Sequence, residues 1–510
     1  MTQLPADVTP VDPVRKRRRI IWIVLAAVVA IGLIWYAVFT ATKPAPAPEP
    51  ATAKNVIYLL GDGMGPTQVT AGRERFYGAG GKLVMETLPA HGTVSTYAVQ
   101  KNSGQPGQAD FKQRPVTDSA AAATAWASGV KTYNAALGVD AKGAVVPTLM
   151  ELARQAGYGT GSVSTSEVTD ASPAGQMSHV LSRDCQGPDY SAEACQDTEI
   201  TGKPLPTSDV RVTPIADQIA RKGTADIILG GGLRRFDASD ETELKEQGYS
   251  ILGSVSNQVP ATRADLNAAA GEKVFGLFNK GNLTVEKVKQ DNPEDPGAKE
   301  PSLSEMTKKA IELLDQKTSG KGFYLQVEGA LIDKRSHEND AAQTLGEVKA
   351  FDDAVAAALD FAKEDGNTLV IVTADHETRG FNIIEKGTFT NAEAAGPPAN
   401  ADSGNTANNS TPTRSDGNSR DPDRSAGASN GAGATDPKNF GPTTFRTPSD
   451  PAGVQDGSKE ASLWLTHASG NHSGADVPVY AYGPGSEQLQ GSVDNTDLFD
   501  IVGNALRVLR

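Results

Sequence analysis

The sequence predicts an α/β protein, a three-layer sandwich around a mostly parallel central sheet, and three observations predict it. Short apolar runs of strand length recur at 56–60, 160–164, 226–229, 323–327, 368–373 and 477–482. Apolar runs bounded by turn residues read as buried strands. Helical patterns lie between them, at 120–128, 146–156 and 345–363. Strands that alternate with helices pair in parallel, with the helices layered on the sheet faces. Finally, chemistry-bearing side chains follow four of the runs, and ligands of such sheets sit beyond the carboxyl ends of the strands.

Those four runs can be taken in order. The run at 56–60 leads to Asp62, and 160–164 leads to Asp170 and Ser172. The run at 323–327 leads to Glu328, Asp333 and His337, and 368–373 leads to Asp375 and His376. One carboxylate after a strand is ordinary loop chemistry. Four strand ends that each carry acid or imidazole toward one edge are hard to explain as solvation.

The chain has 510 residues, enough to bury a large core, with 38% hydrophobic and 22% charged residues. Its net charge of −14 argues against nucleic acid as a partner, because phosphate backbones are bound by basic surfaces. A small phosphate ester is not excluded, since bound metal ions reverse the local field. The two cysteines, Cys185 and Cys195, lie ten residues apart in a polar loop. They suit a local disulfide in an oxidising compartment, or two free thiols on a loop.

Composition divides the chain. Residues 1–19 end in a basic cluster at 15–19 and read as a cytoplasmic tail. Residues 20–42 are uncharged and almost wholly apolar, and about 20 such residues span a bilayer. Basic residues before the span predict a single-pass signal anchor with the remainder outside the cytoplasm. A cleaved signal peptide, which would release a secreted protein, normally has a shorter apolar region of about 7–15 residues. Residues 43–53 read as a Pro-rich linker, and 54–510 as one folded domain. Within it, 390–458 is rich in Asn, Ser, Gly, Asp, Pro and Thr and reads as a low-complexity surface insertion.

Six histidines occur in all. Asp333 and His337 stand one turn apart if their segment is helical, Asp375 and His376 share a strand terminus, and His472 lies in a Gly-bounded loop. Carboxylate oxygen with imidazole nitrogen suits zinc. Asp62, Ser172 and Glu328 offer oxygen alone, which suits magnesium. Ser119 follows Asp118 and precedes an Ala-rich helical run. Asp-Ser before a helix is commonly an N-cap. The same position also offers a nucleophile the positive helix end and free N–H donors for phosphate. The 61–65 segment, GDGMG, lacks dinucleotide-loop spacing, and its glycines permit a tight turn around a metal-holding Asp62.

Taken together, the segments NVIYLLGDGMG, VTDSAAAATAWASGVKTYNAALGVD, EVTDASPAGQMSHV, FYLQVEGALIDKRSHEND, TLVIVTADHE and GNHSG closely resemble the alkaline phosphatases. The resemblance covers roughly residues 54–385 and 461–510. It implies hydrolysis of phosphate monoesters through a phosphoserine on Ser119, at a site with two zinc ions and one magnesium. Asp333, His337 and His472 resemble the ligands of the first zinc, and Asp62, Asp375 and His376 those of the second. Glu328, Ser172 and Asp62 resemble the magnesium ligands, with Ser172 where the family usually has Thr. Asp170 and Lys334 stand where residues tune the magnesium surroundings and the phosphate. Arg183 resembles the guanidinium that clamps phosphate, with Asp118 orienting it. Cys185 and Cys195 match a family disulfide. Of two nearby histidines, His472 fits the family context and His467 does not. Residues 390–458 replace a crown-like region that contributes to family dimer contacts, so a homodimer stays an open expectation. A sulfatase is disfavoured by the four alanines after Ser119, a diesterase needs room for a second substituent, and a non-catalytic phosphate receptor would not need the nucleophile.

Overall fold

Ten strands build the central sheet of this computed structural model: β1 Asn55–Gly61, β2 Ala90–Ser95, β3 Gly159–Glu167, β4 Ile227–Gly231, β5 Ser250–Leu252, β6 Val274–Leu277, β7 Phe323–Gly329, β8 Thr368–Thr373, β9 Val477–Tyr482 and β10 Gly491–Asp494. The structure describes residues 51–318, 320–337, 340–386, 443–467 and 471–509, with Val14, Arg17, Arg18, Trp22, Leu25, Val29 and Ala30 near the N-terminus. Across the sheet the order is β10-β2-β9-β8-β1-β7-β3-β4-β6-β5. Every neighbouring pair is parallel except β9, which runs antiparallel to both β8 and β2.

The strands at the centre are buried along their whole length, which is why they read as apolar runs. Strand β7 displays the layering. Phe323 packs on Phe361 of helix Ala341–Asp365, with ring centroids 5.7 Å apart. Its neighbour Tyr324 points the other way, where its hydroxyl accepts from Gln176 Nε2 at 2.9 Å. Gln326 follows the same side and donates to the Ser172 carbonyl. Alternate residues therefore meet different layers, as the two-residue strand period requires.

Helix Ser119–Ser128 is buried at every position. Asp118 caps it by accepting from Ala121 N, and Gly129 closes it in the left-handed region at φ 71°. Alanines let its backbone approach the sheet. The one large side chain, Trp126, stacks on Tyr58 of β1 at 5.7 Å and 22°. This contact sets the distance between the Ser119 end of the helix and the strand that carries Asp62. The other two expected helices run Leu149–Gln155 and Ala341–Asp365. The latter starts earlier than its apolar pattern because Asp340 caps it, accepting from Gln343 N.

Part of the expected insertion at 390–458 is described. Residues 387–442 lie outside the described residues, but Thr443–Phe445 is a strand paired with Leu463–His467, which in turn pairs with Phe381–Ile384. Phe445 is buried beneath Arg75, and Asp450 and Asp456 anchor the turn by accepting from Thr447, Ser462 and Arg446 backbone N–H groups. One aromatic anchor with local Asx bonds orders a segment whose composition alone reads as unable to fold. The span expected at 20–42 falls almost wholly outside the described residues. Of those described, Trp22, Leu25 and Val29 are helical and exposed. Among the described residues no helix is long and apolar enough to cross a membrane.

Replacing Trp126 with Ala removes the stack on Tyr58 of β1. It should cost about 3–5 kcal/mol of stability, as aromatic-to-alanine changes in a core do. Chemical denaturation checks this, and a loss below about 1 kcal/mol would show that the stack does not hold the helix.

Candidate active site

Asp62 leaves β1 directly, and the backbone must turn at once. Gly63 makes that turn at φ 71°. A Cβ there would stand 2.6 Å from Thr378 Oγ1 and 2.8 Å from Asp333 Cβ, so the position needs glycine for space as well as for conformation. Its N–H donates to Asp375 Oδ1 at 3.0 Å, which ties the end of β1 to the end of β8.

Two clusters form at this edge. In one, His337 Nε2 stands 3.1 Å from His472 Nε2 and 3.2 Å from Asp333 Oδ1, and His472 Nε2 is 3.6 Å from the same oxygen. In the other, His376 Nε2 lies 3.1 Å from Asp375 Oδ2 and 3.6 Å from Asp62 Oδ1. Each group gathers three ligand atoms close enough to hold one metal ion. The clusters touch, because the His376 and His472 rings stack at 3.5 Å. Ser119 Oγ completes the second at 3.1 Å from His376 Nε2.

Hydrogen bonds settle which imidazole nitrogens face inward. His472 Nδ1 lies 3.0 Å from the Thr117 carbonyl, which can only accept, so Nδ1 carries the proton and Nε2 presents its lone pair. Thr378 donates its hydroxyl proton to Asp333 Oδ1, and its oxygen then accepts from His376 Nδ1 at 3.3 Å. That leaves His376 Nε2 unprotonated, with its lone pair facing inward.

A third group is oxygen-rich. Glu328 ends β7 in register with Ser164 of β3, and its carboxylate accepts from Ser164 and Ser166. Ser172 lies near it on the short helix Ala171–Ala174, its buried hydroxyl making no hydrogen bond among the described residues. Asp170, which caps that helix, bridges two cations: Arg183 Nη2 and Lys334 Nζ, each at 2.6 Å. Burial pushes the Asp170 carboxyl up, but Lys334 and Arg183 outweigh it and hold it below the usual range. Lys334 is held above its usual value, since Asp170, Asp62 and Asp333 overcome its burial. Arg183 also reaches Asp118 at 3.4 Å, a longer contact than that with Asp170. The N–H of Arg183 donates to the Ala135 carbonyl, and Ala135 N–H donates to Asp118 Oδ2. A disulfide joins Cys185 to Cys195 in the same loop.

The charge balance tests whether cations fit. Asp62 Oδ1, Asp333 Oδ2 and Asp375 Oδ2 are buried and accept no hydrogen bond among the described residues. Burial raises the Asp62 carboxyl well above its usual range, and Asp375, Asp333 and Glu328 raise it further. Burial pushes Glu328 up to about 7, with the Asp170 charge adding to it. Carboxylates that repel one another around orphaned oxygens lose that penalty when a divalent cation lies among them. The residues present therefore fit metal ions.

The structure brings Asp62, Ser119, Asp333, His337, Asp375, His376 and His472 together, with Glu328, Ser172, Asp170, Lys334, Arg183 and Asp118 around them. His467 stands apart. It packs on Phe381 with ring centroids 4.9 Å apart, and burial followed by Arg379 pushes it down to about 3. Sequence reasoning missed Thr378, Thr117, Ser164 and Ser166. The two serines left a signal, because residues two apart on a strand share a face. A cavity of about 830 Å³ opens beside Asp118 and His472.

An α/β sheet with two carboxylate–imidazole clusters and a helix-capped serine at its strand ends defines a hydrolase of the divalent-metal class. The chain belongs to the alkaline phosphatase family, whose family model matches residues 53–508. It is thus a phosphoric monoester hydrolase, and its family works with divalent metal ions. The chain is 40% identical over 352 residues to alkaline phosphatase of Escherichia coli K12, covering 64% of this chain and 70% of that one. It is 42% identical over 353 residues to streptomycin-6-phosphate phosphatase of Streptomyces griseus, covering 64% and 74%. Alkaline phosphatase 4 of Bacillus subtilis matches 90% of both chains at 34% identity. The structure of alkaline phosphatase from the Antarctic bacterium TAB5 superimposes with a TM-score of 0.60, at 26% identity, over 90% of this chain and all of that one.

Gly63→Ala should weaken metal binding and lower stability by about 1–3 kcal/mol, because the new methyl displaces Asp333 or Thr378. Titration of the metal-free protein with zinc, and its unfolding curve, check this; unaltered affinity would mean the turn is not required for the cluster.

Proposed function

We propose that this chain hydrolyses phosphate monoesters through a phosphoserine formed on Ser119. The observation that carries the reading is Ser119 Oγ, 3.1 Å from His376 Nε2 at the N-terminus of a buried ten-residue helix. The helix dipole favours negative charge on that oxygen and on a phosphate beside it.

Asp333, His337 and His472 would hold one zinc, and Asp62, Asp375 and His376 a second. Glu328, Ser172 and Asp62 would hold magnesium. Such ions, when bound, supply Lewis acidity that eases loss of the Ser119 proton and offsets charge at phosphorus.

The chain's own groups do the rest. Arg183, held by Asp170 and Asp118, offers two parallel N–H donors to phosphate oxygens. Ser119 Oγ attacks phosphorus in line, so the Oγ–P bond forms as the ester P–O bond breaks and the alcohol departs opposite. Water then attacks from the vacated side, the P–Oγ bond breaks, and Ser119 regains its proton as phosphate leaves. Positioning and charge placement supply most of the acceleration.

We also place the catalytic body outside the cytoplasm on an N-terminal anchor. Support comes from the basic residues at 15–19, the apolar stretch after them, and the disulfide.

Purified protein should hydrolyse p-nitrophenyl phosphate with an alkaline optimum, lose activity to a chelator, and regain it with zinc plus magnesium. Ser119→Ala should reduce turnover by at least about 10³-fold, as loss of a nucleophile does. Near wild-type turnover would remove Ser119 from its role. Arg183→Ala should raise the inhibition constant for inorganic phosphate by roughly tenfold or more, the scale of a lost bidentate ionic contact. Unchanged inhibition would take Arg183 out of the phosphate site.

A further inference from the structure

The cavity beside Asp118 and His472 is large enough for far more than a phosphate group, since pockets of ~300–1,000 Å³ take whole small molecules. Its charged groups other than Arg114 are already paired. Lys101 pairs with Asp197 at 2.9 Å and Glu199 at 2.8 Å, and Asp118 faces Arg183. Arg114 is different. It is half-buried in the same wall, and among the described residues no acidic group or hydrogen-bond acceptor engages its guanidinium.

Its backbone is firmly placed. Gln113–Arg114 pairs with Ala98–Val99, Gln100 N–H donates to the Lys112 carbonyl, and three residues later the Thr117 carbonyl accepts from His472 Nδ1. Arg114 stands five residues before Ser119, so their Cα atoms lie no more than ~18 Å apart. An unopposed guanidinium on a fixed strand, in the wall of the cavity that opens beside Asp118, matches an anion carried by the departing alcohol.

We propose that Arg114 is a specificity-determining residue that takes a second oxyanion, a carboxylate or a further phosphate, on the alcohol side of the phosphate monoester. The inference rests on the monoesterase reading above. It assigns this enzyme to anionic phosphorylated metabolites rather than to esters of neutral or cationic alcohols.

The test compares 4-carboxyphenyl phosphate with phenyl phosphate as substrates of the metal-loaded protein. The ratio of their kcat/KM values cancels effects common to both. It should fall about fivefold in Arg114→Ala, the upper range for a partly exposed ion pair, and recover substantially in Arg114→Lys. The wild-type ratio should also shrink between about 0.05 and 1 M salt as screening takes effect. A second substrate pair, phenyl phosphate with 4-phosphonophenyl phosphate, separates a phosphate-type oxyanion from a carboxylate. An unchanged ratio for both pairs in Arg114→Ala would overturn the proposal. If the wild-type protein turned over none of these esters, the monoesterase reading would fall first, and this inference with it.

Discussion

Four buried carboxylates, Asp62, Glu328, Asp333 and Asp375, converge at the carboxyl end of β1, β7 and β8 with too few protein cations to balance them. Lys334 and Arg183 are largely committed to Asp170. An unpaired buried carboxylate is costly, and several together cannot all ionise without counter-charge. The rest of the site follows from that constraint. It explains why orphaned oxygens and inward imidazole lone pairs meet in the same space, and why so much of the surrounding hydrogen bonding serves to orient ligands.

That orientation is made by ordinary local structure. A glycine turn carries Asp62 past Asp333 with no room for a methyl group. Thr378 serves two ligands at once, donating to Asp333 and accepting from His376. The Thr117 carbonyl sets the His472 tautomer and simultaneously fixes the residue two before the nucleophile. The helix cap at Asp118 coexists with the functional reading of Ser119, because the cap oxygen is Asp118 Oδ1 while the serine hydroxyl turns to His376. Asp170 joins the oxygen-rich group to the phosphate clamp, since the carboxylate beside Lys334 is also the nearer partner of Arg183.

Much of the fold was legible in the sequence because its central strands are buried on both faces and so lack polar alternation. The six apolar runs are strands of one sheet. Periodicity was silent on direction, and β9 proved antiparallel. Composition gave no sign of the strand at Thr443–Phe445, which is held by pairing with Leu463–His467 and by local aspartate bonds.

The sequence by itself determined which chemical groups leave each strand end, because a side chain one or two residues past a buried strand has nowhere to go but that edge. It equally determined the Asp118 cap and the Ala-rich helix behind Ser119, which depend only on neighbours in the chain. The tertiary structure alone decided which groups meet. His472 reaches the cluster because its strand pairs with Thr378, and its proton is placed by a carbonyl 355 residues away. Ser164 meets Glu328 through strand register, and Arg183 is held near Asp170 by its backbone bond to the Ala135 carbonyl. Register and packing join residues across hundreds of positions, and no local pattern records them.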